Sequence, residues 1–260
     1  MYLFRTLFLQ GMNHRPTIGS WIQFAQPSHA EILANAGFDW LCIDLEHSVI
    51  ELREAEDLIR IIETKGVIPL VRVSSNDPVQ ISRIMDAGAH GVVVPRVDTA
   101  DDARRAVNAV FYPPKGSRGV GLARAHKYGA SFDDYLEWIS NNGLVIAQVE
   151  SSQSVKNLAE ILSVDGVGGF MVGPYDLSCS LGVPGNLDHP LVVESLEEIM
   201  LVAQEFPNAK RGIHKVSIDH QLVLEAVEQG FDLIAYSTDM LFLGESCRGG
   251  MKKIRESLNS

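Results

Sequence analysis

The sequence predicts a closed (β/α)8 barrel, a TIM-type α/β fold, on three observations. Eight short apolar runs recur along the 260 residues, each opened by a glycine or polar turn and closed by a polar or charged residue. Amphipathic stretches with helical spacing separate them. Three helix ends carry related phrases, Asn35-Ala36-Gly37-Phe38, Asp86-Ala87-Gly88-Ala89 and Glu228-Gln229-Gly230-Phe231, in which glycine closes a helix before the chain turns into a strand. Strands alternating with helices imply a parallel sheet, and eight such units in one chain of this length favour a barrel over an open doubly wound sheet. The open sheet would place a glycine-rich phosphate turn after its first strand. Here that strand is followed by Gln23-Phe24-Ala25-Gln26-Pro27.

In order, the expected strands begin at Thr17, Trp40, Ile68, Gly91, Leu144, Gly169, Lys210 and Leu233. Expected helices run from Pro27, Glu51, Asp77, Ala100, Phe132, Ser152, Pro190 and Ser217, with Asp77-Pro78 and Ser217 as helix starts. The longest irregular stretch, Tyr112 to Ala130, is rich in glycine and proline and reads as a functional loop over the barrel mouth. The whole chain, 1–260, reads as one barrel domain with its core at about 17–239 and a C-terminal helix at about 245–258.

Composition narrows the classes. At 46% hydrophobic and 21% charged, the chain has ample material for a large core. A net charge of −11 argues against a nucleic-acid partner. No apolar run approaches the ~20 residues of a membrane span. The apolar start, Met1 to Leu9, is short, interrupted by Arg5 and not followed by a cleavage site, so it does not read as a signal peptide. Three widely spaced cysteines, Cys42, Cys179 and Cys247, fit a reducing, cytoplasmic setting.

A barrel gathers its chemistry at the C-terminal ends of its strands. Those ends supply Asp44, Glu46 and His47, then Arg72, Gln148 with Glu150, Asp176, and His214 with Lys215. Glu150 and Asp176 close consecutive strands, about 4.8 Å apart in such a sheet, and two carboxylates without cysteine suit Mg²⁺ or Mn²⁺. They serve equally well as a solvated acid and a turn cap. Arg72 either grips a carboxylate or enolate oxygen in its fork or pairs with Asp44 on the neighbouring strand. His47 is a candidate general base, or a plain loop histidine. Lys215 is the candidate for a covalent Schiff-base route. No P-loop and no nucleophile elbow occurs.

These residues resemble a known family. The likeness runs from about Thr17 to Asp239 and is carried by Ala36-Gly37-Phe38-Asp39-Trp40, Ile43-Asp44-Leu45-Glu46-His47, Pro69-Leu70-Val71-Arg72 and Val94-Pro95-Arg96-Val97-Asp98. It continues in Tyr112-Pro113-Pro114-Lys115-Gly116-Ser117-Arg118-Gly119, Gln148-Val149-Glu150-Ser151 and Gly173-Pro174-Tyr175-Asp176. Together they are similar to the class II pyruvate aldolases of the HpcH/HpaI aldolase and citrate lyase family. The resemblance implies a pyruvate-type barrel in which Glu150 and Asp176 hold a divalent metal, Mg²⁺ or Mn²⁺ with Co²⁺ as a substitute. It implies that Arg72 stabilises the enolate, that His47 is the base, and that Asp86 is its acid partner. Asp44 and Glu46 belong to the shell that orients the histidine loop, and Gln148, Gly173 and Tyr175 contact pyruvate. It also implies a homohexamer whose last helix is exchanged between subunits.

The expected reaction is cleavage of a 2-keto-4-hydroxy acid to pyruvate and an aldehyde. An oxo-acid decarboxylase on the same scaffold is the alternative, and a non-catalytic oxo-acid binder the third reading. Asp86 precedes the fourth strand, at the wrong end of its own barrel to meet His47, so a working dyad requires a neighbouring subunit.

Overall fold

The structure, a computed structural model, describes residues 15–259, and the Met1 to Leu9 stretch lies outside them. Eight parallel strands close in sequence order: β1 (Thr17–Ile22), β2 (Trp40–Asp44), β3 (Ile68–Arg72), β4 (Gly91–Val94), β5 (Leu144–Val149), β6 (Val167–Val172), β7 (Lys210–Lys215) and β8 (Leu233–Thr238). Around them run α1 (Pro27–Ala34), α2 (Leu52–Thr64), α3 (Pro78–Asp86), α4 (Ala100–Val110), α5 (Phe132–Asn142), α6 (Ser152–Lys156), α7 (Leu158–Leu162), α8 (Pro174–Ser180), α9 (Pro190–Ala203), α10 (Gln221–Glu228) and α11 (Asp239–Leu258). The (β/α)8 barrel read from the sequence is therefore the fold.

Alternation along each strand decides what faces the barrel axis. Trp40 and Cys42 of β2, Leu70 of β3, Ile146 of β5, Met171 of β6 and Ala235 of β8 pack together inside. Their neighbours Leu41, Ile43 and Val71 pack outward under the helices. Two residues beyond each inner position the chain is still inward but has reached the mouth. That parity delivers Asp44 after Cys42, Arg72 after Leu70, Gln148 after Ile146, and Gly173 after Met171. At the narrow bottom, Gly19 makes room for Trp40: a Cβ on Gly19 would lie 2.0 Å from the indole.

Helix ends follow the expected local chemistry. Asp77 caps α3 by accepting Val79 N–H at 2.9 Å. Gly37, Gly88 and Gly230 all take left-handed φ, +96°, +100° and +91°. Other expectations shift. The single helix expected from Ser152 breaks at Asn157, whose side chain donates to Asp98 O at 2.7 Å. The helix expected from Ser217 starts at Gln221, because Ser217 and Asp219 side chains first bind Asp219 N and Gln221 N, each at 3.0 Å. The last helix begins at Asp239, straight from β8, with Thr238 as its cap.

The Tyr112 to Ala130 loop is a correction. It follows α4 and leads through α5 to the start of β5, so it lies at the end of the barrel where strands begin. Arg118 binds Asp86, and Arg124 binds Ala87 O at 3.0 Å, both at the C-terminal end of α3. No residue of this loop lines the mouth. His126 is buried at its centre and accepts Gly129 N–H at 3.0 Å.

Gly37→Ala leaves open space around the new Cβ, so its cost is backbone strain alone, about 1–2 kcal/mol. Gly19→Ala adds a clash with the fully buried Trp40 and loses more. Urea-unfolding midpoints of the two variants measure the difference.

Candidate active site

The mouth holds a cavity of about 460 Å³. His47, Arg72, Gln148, Gly173, Tyr175 and Asp176 line it. Asp44 is fully buried beneath, and Glu150 is buried beside Gln148. Asp86 is elsewhere in this chain: it pairs with Arg118 at 2.5 Å at the opposite end of the barrel.

Asp44 is the most heavily bonded side chain at the mouth. β2 and β3 pair in register with Asp44 opposite Arg72. Asp44 accepts Arg72 Nε at 2.9 Å and Nη2 at 2.7 Å, a bidentate fork. It also accepts Gln23 Nε2 at 3.0 Å and the backbone N–H groups of Glu46 and His47 at 3.1 and 3.2 Å. Burial pushes its carboxyl upward, but the Arg72 bonds and charge, with His47 and Gln23, outweigh it and hold it below the usual carboxylate range. Pairing with Asp44 and gripping a ligand are compatible for Arg72, since Asp44 uses two of five guanidinium N–H donors. The guanidinium also lies over the Trp21 indole at 4.3 Å, which fixes its plane.

Across the mouth, Glu150 Oε1 accepts Arg96 N–H at 2.8 Å and Oε2 accepts Gln148 Nε2. Asp176 sits in the first turn of α8, just beyond β6. Glu46 joins this acidic group: its Oε2 lies 3.3 Å from Arg72 Nη1 and 3.8 Å from His47 Nε2. Burial raises the Glu46 carboxyl against the pull of Arg72, with repulsion from Asp44 and Asp176 adding to it. Burial likewise raises Glu150 against the Arg96 N–H, with repulsion from Glu46 and Asp176. A raised carboxyl favours the fold below its unfolded pKa and loses that contribution as pH rises through the folded value. Burial and mutual repulsion both disfavour the charged forms of Glu46 and Glu150, and a cation placed among these acids would oppose that.

The residues fit a divalent cation. Glu46 Oε2 and Gln148 Oε1 are buried acceptors with no hydrogen-bond partner. A Cβ on Gly173 would stand 3.5 Å from Glu150 Cβ and 3.6 Å from Asp176 Oδ2, so the missing side chain keeps the space between these acids clear. Among the described residues no group of three His, Cys, Asp or Glu side chains stands ready to hold a metal. Glu150 and Asp176 form a two-carboxylate, all-oxygen set, the pattern of a hard cation that keeps water or substrate oxygens.

Glu46 thus does more than orient the histidine loop, and Trp21, Gln23 and the Arg96 N–H join the site beyond the residues expected there. The strand-end rule applied to β1 would have found the first two. Lys215 faces the helical layer, where burial lowers its pKa and Glu225 of α10 opposes the change. His214, one residue earlier, faces the cavity. A covalent route through Lys215 therefore lacks access.

A closed parallel barrel with polar strand ends converging on one cavity is the architecture of a barrel enzyme. The chain belongs to the HpcH/HpaI aldolase/citrate lyase family, whose model matches residues 17–243, and is an enzyme of the aldolase/lyase type. It is 39% identical over 234 residues to the 4-hydroxy-2-oxo-heptane-1,7-dioate aldolase of Escherichia coli, covering 89% of this chain and 88% of that one. It is similar to an HpcH/HpaI aldolase/citrate lyase family protein from Burkholderia cenocepacia J2315, at 33% identity and TM-score 0.89, covering 96% and 98% of the two chains. An HpcH/HpaI aldolase from Desulfitobacterium hafniense DCB-2 matches at 30% identity and TM-score 0.87, covering 93% of each.

Asp44→Asn strands the Arg72 charge in a buried site, a loss of about 3–5 kcal/mol at neutral pH. Because the folded pKa of Asp44 is depressed, its contribution is full above the unfolded value of about 4 and is lost as pH falls through the folded one. Denaturation of the wild type and variant across pH 2–7 should show the two curves converging in acid.

Proposed function

We propose that the protein is a metal-dependent, class II aldolase that reversibly cleaves a 2-keto-4-hydroxy acid into pyruvate and an aldehyde. The supporting observation is the placement of the Asp44-anchored Arg72 guanidinium and the Glu150–Asp176 pair around one cavity. Glu150 and Asp176 would hold the divalent cation, Mg²⁺, Mn²⁺ or Co²⁺, which supplies Lewis-acid polarisation of a keto oxygen.

Retro-aldol cleavage breaks the C3–C4 bond and sends its electron pair into the ketone, leaving a pyruvate enolate. The free N–H groups of Arg72 meet that developing charge, and their fixed orientation removes the cost of rearranging at the moment of reaction. His47 takes the C4 hydroxyl proton, which lets the C4 carbon leave as an aldehyde. Gln148, Gly173 and Tyr175 shape the pyruvate end. Return of a proton to C3 completes pyruvate.

The His47 ring is largely solvent-exposed, with Glu46 the nearest acid at 3.8 Å. Its acid partner in this reading is Asp86 of a neighbouring subunit in a homohexamer. The bare end of α11 supports assembly: residues 246–259 are all exposed, and Leu243, Met251, Ile254 and Leu258 recur at near-heptad spacing. Exchange of α11 between subunits would cover that stripe.

EDTA should abolish pyruvate release from 2-keto-4-hydroxy acids, and Mg²⁺, Mn²⁺ or Co²⁺ should restore it. Calorimetry should show metal binding weakened at least about tenfold in Glu150→Gln and Asp176→Asn. Pyruvate trapped on the protein by borohydride, with full activity in chelator, overturns the reading. His47→Asn should lose about 10²–10⁴ in aldol cleavage while retaining oxaloacetate decarboxylation. Loss of neither activity would instead favour the decarboxylase. Asp86→Asn should lose cleavage with metal affinity intact, and light scattering gives the assembly size.

A further inference from the structure

The chemistry above leaves His214 at the mouth without a task. His214 lies on the inward face of β7 and lines the cavity. Its Nε2 is 3.2 Å from Ser237 O. A carbonyl oxygen only accepts, so Nε2 carries the proton and Nδ1 is left as a bare lone pair. The ring is held from two sides. Ser237 O is aimed at it by a left-handed turn, φ +59°, where β8 slips register against β1, and it also accepts the Ser20 hydroxyl at 3.4 Å. Trp21 packs against it at 5.4 Å between ring centroids. Nδ1 has no protein partner among the described residues.

We propose that His214 Nδ1 is a hydrogen-bond acceptor that selects the aldehyde partner of pyruvate, favouring a short aldehyde with a hydroxyl beside its carbonyl. This rests on the aldolase reading. Position puts this acceptor in the same cavity that Arg72 lines. The Trp21 indole that packs on His214 also carries Arg72, so a single aromatic ring links the acceptor to the guanidinium that meets the enolate. Surroundings argue for selectivity. Val216, Met240 and Leu241 give this wall an apolar surface. Two polar groups also border this wall: Thr238 Oγ1 accepts the Leu241 N–H as the cap of α11, and Arg248 donates to Glu245 at 2.6 Å. An acceptor in an apolar wall goes unpaired when the substrate lacks a donor, and it opposes a carboxylate directly. Burial, reinforced by the Arg72 charge and resisted by the Ser237 bond and Asp44, lowers the imidazole to about pKa 4. The ring is therefore neutral in the working range and acts as an acceptor, not a base.

The test is pyruvate addition, with Mg²⁺, to two matched pairs: glycolaldehyde against acetaldehyde and lactaldehyde against propanal. Succinic semialdehyde serves as the carboxylate arm. The ratio of kcat/KM within each pair is compared between wild type, His214→Leu and His214→Gln, so that intrinsic aldehyde reactivity cancels. The hydroxyl preference should fall about tenfold in His214→Leu, while His214→Gln, which keeps an acceptor, retains part of it. Succinic semialdehyde should gain relative to glycolaldehyde in the leucine variant. The wild-type ratio should stay flat from about pH 6 to 9. An equal loss for both members of each pair, an unchanged ratio, or a ratio that titrates near neutrality overturns the assignment while leaving the aldolase reading intact. Failure of the wild type to add pyruvate to any aldehyde overturns both.

Discussion

One carboxylate organises the mouth of this barrel. Asp44 is fully buried and receives five hydrogen bonds, from Arg72 twice, Gln23, and the backbones of Glu46 and His47. Together they tie three parts of the chain to β2. The Arg72 fork ties β2 to β3, Gln23 brings in the chain after β1, and the two N–H groups fold the segment after β2 over the cavity. A buried ion pair adds little to stability relative to a well-packed apolar pair, but it is costly to break. What it supplies here is direction. Arg72 can neither swing toward solvent nor rotate its plane, since Asp44 holds its edge and Trp21 holds its face.

Next to this fixed cation lies a group of acids that begins with Glu46, 3.3 Å from Arg72 Nη1. Glu46, Glu150 and Asp176 repel one another, and burial raises the first two further. Gln148 and the Arg96 N–H occupy part of Glu150, yet Glu46 Oε2 and Gln148 Oε1 remain without hydrogen-bond partners. An assembled cation is thus set beside an unsatisfied group of oxygens. In the proposed reaction, that asymmetry suits a negative keto acid whose transition state gains further charge at one oxygen.

Barrel closure depends on a second buried acid. Asp239, at the start of α11, accepts the N–H groups of Gln23 at 3.1 and 3.0 Å and of Phe24 at 3.0 Å. It locks the end of β8 to the end of β1. Burial raises its carboxyl despite those backbone donors. The same seam carries the register slip that turns Ser237 toward His214, so the closure of the barrel and the shape of the β7–β8 wall share one cause.

Much of the fold was legible because its determinants are local. Periodicity of two and of 3.6, glycines that need left-handed φ, and Asp77 before Pro78 are properties of neighbouring residues, and they placed all eight strands. Strand parity extended that legibility to the mouth, since a residue two positions beyond an inner apolar one must face the axis. The family motifs then supplied the roles proposed for His47, Arg72, Glu150 and Asp176. What the sequence left open were choices between partners distant in the chain. Whether Arg72 pairs with Asp44 depends on the register between two strands 28 residues apart. The loop from Tyr112 to Ala130 has the composition of a mouth loop, but the end of the barrel it occupies follows from the direction of α4 and α5. His214 and Lys215 are adjacent in sequence, and only closure of β7 against β6 and β8 puts one in the cavity and the other under the helices. Sequence determines which backbone each segment prefers. Which charges meet, and which lone pairs are left free, is decided by strands that become neighbours only when the barrel closes.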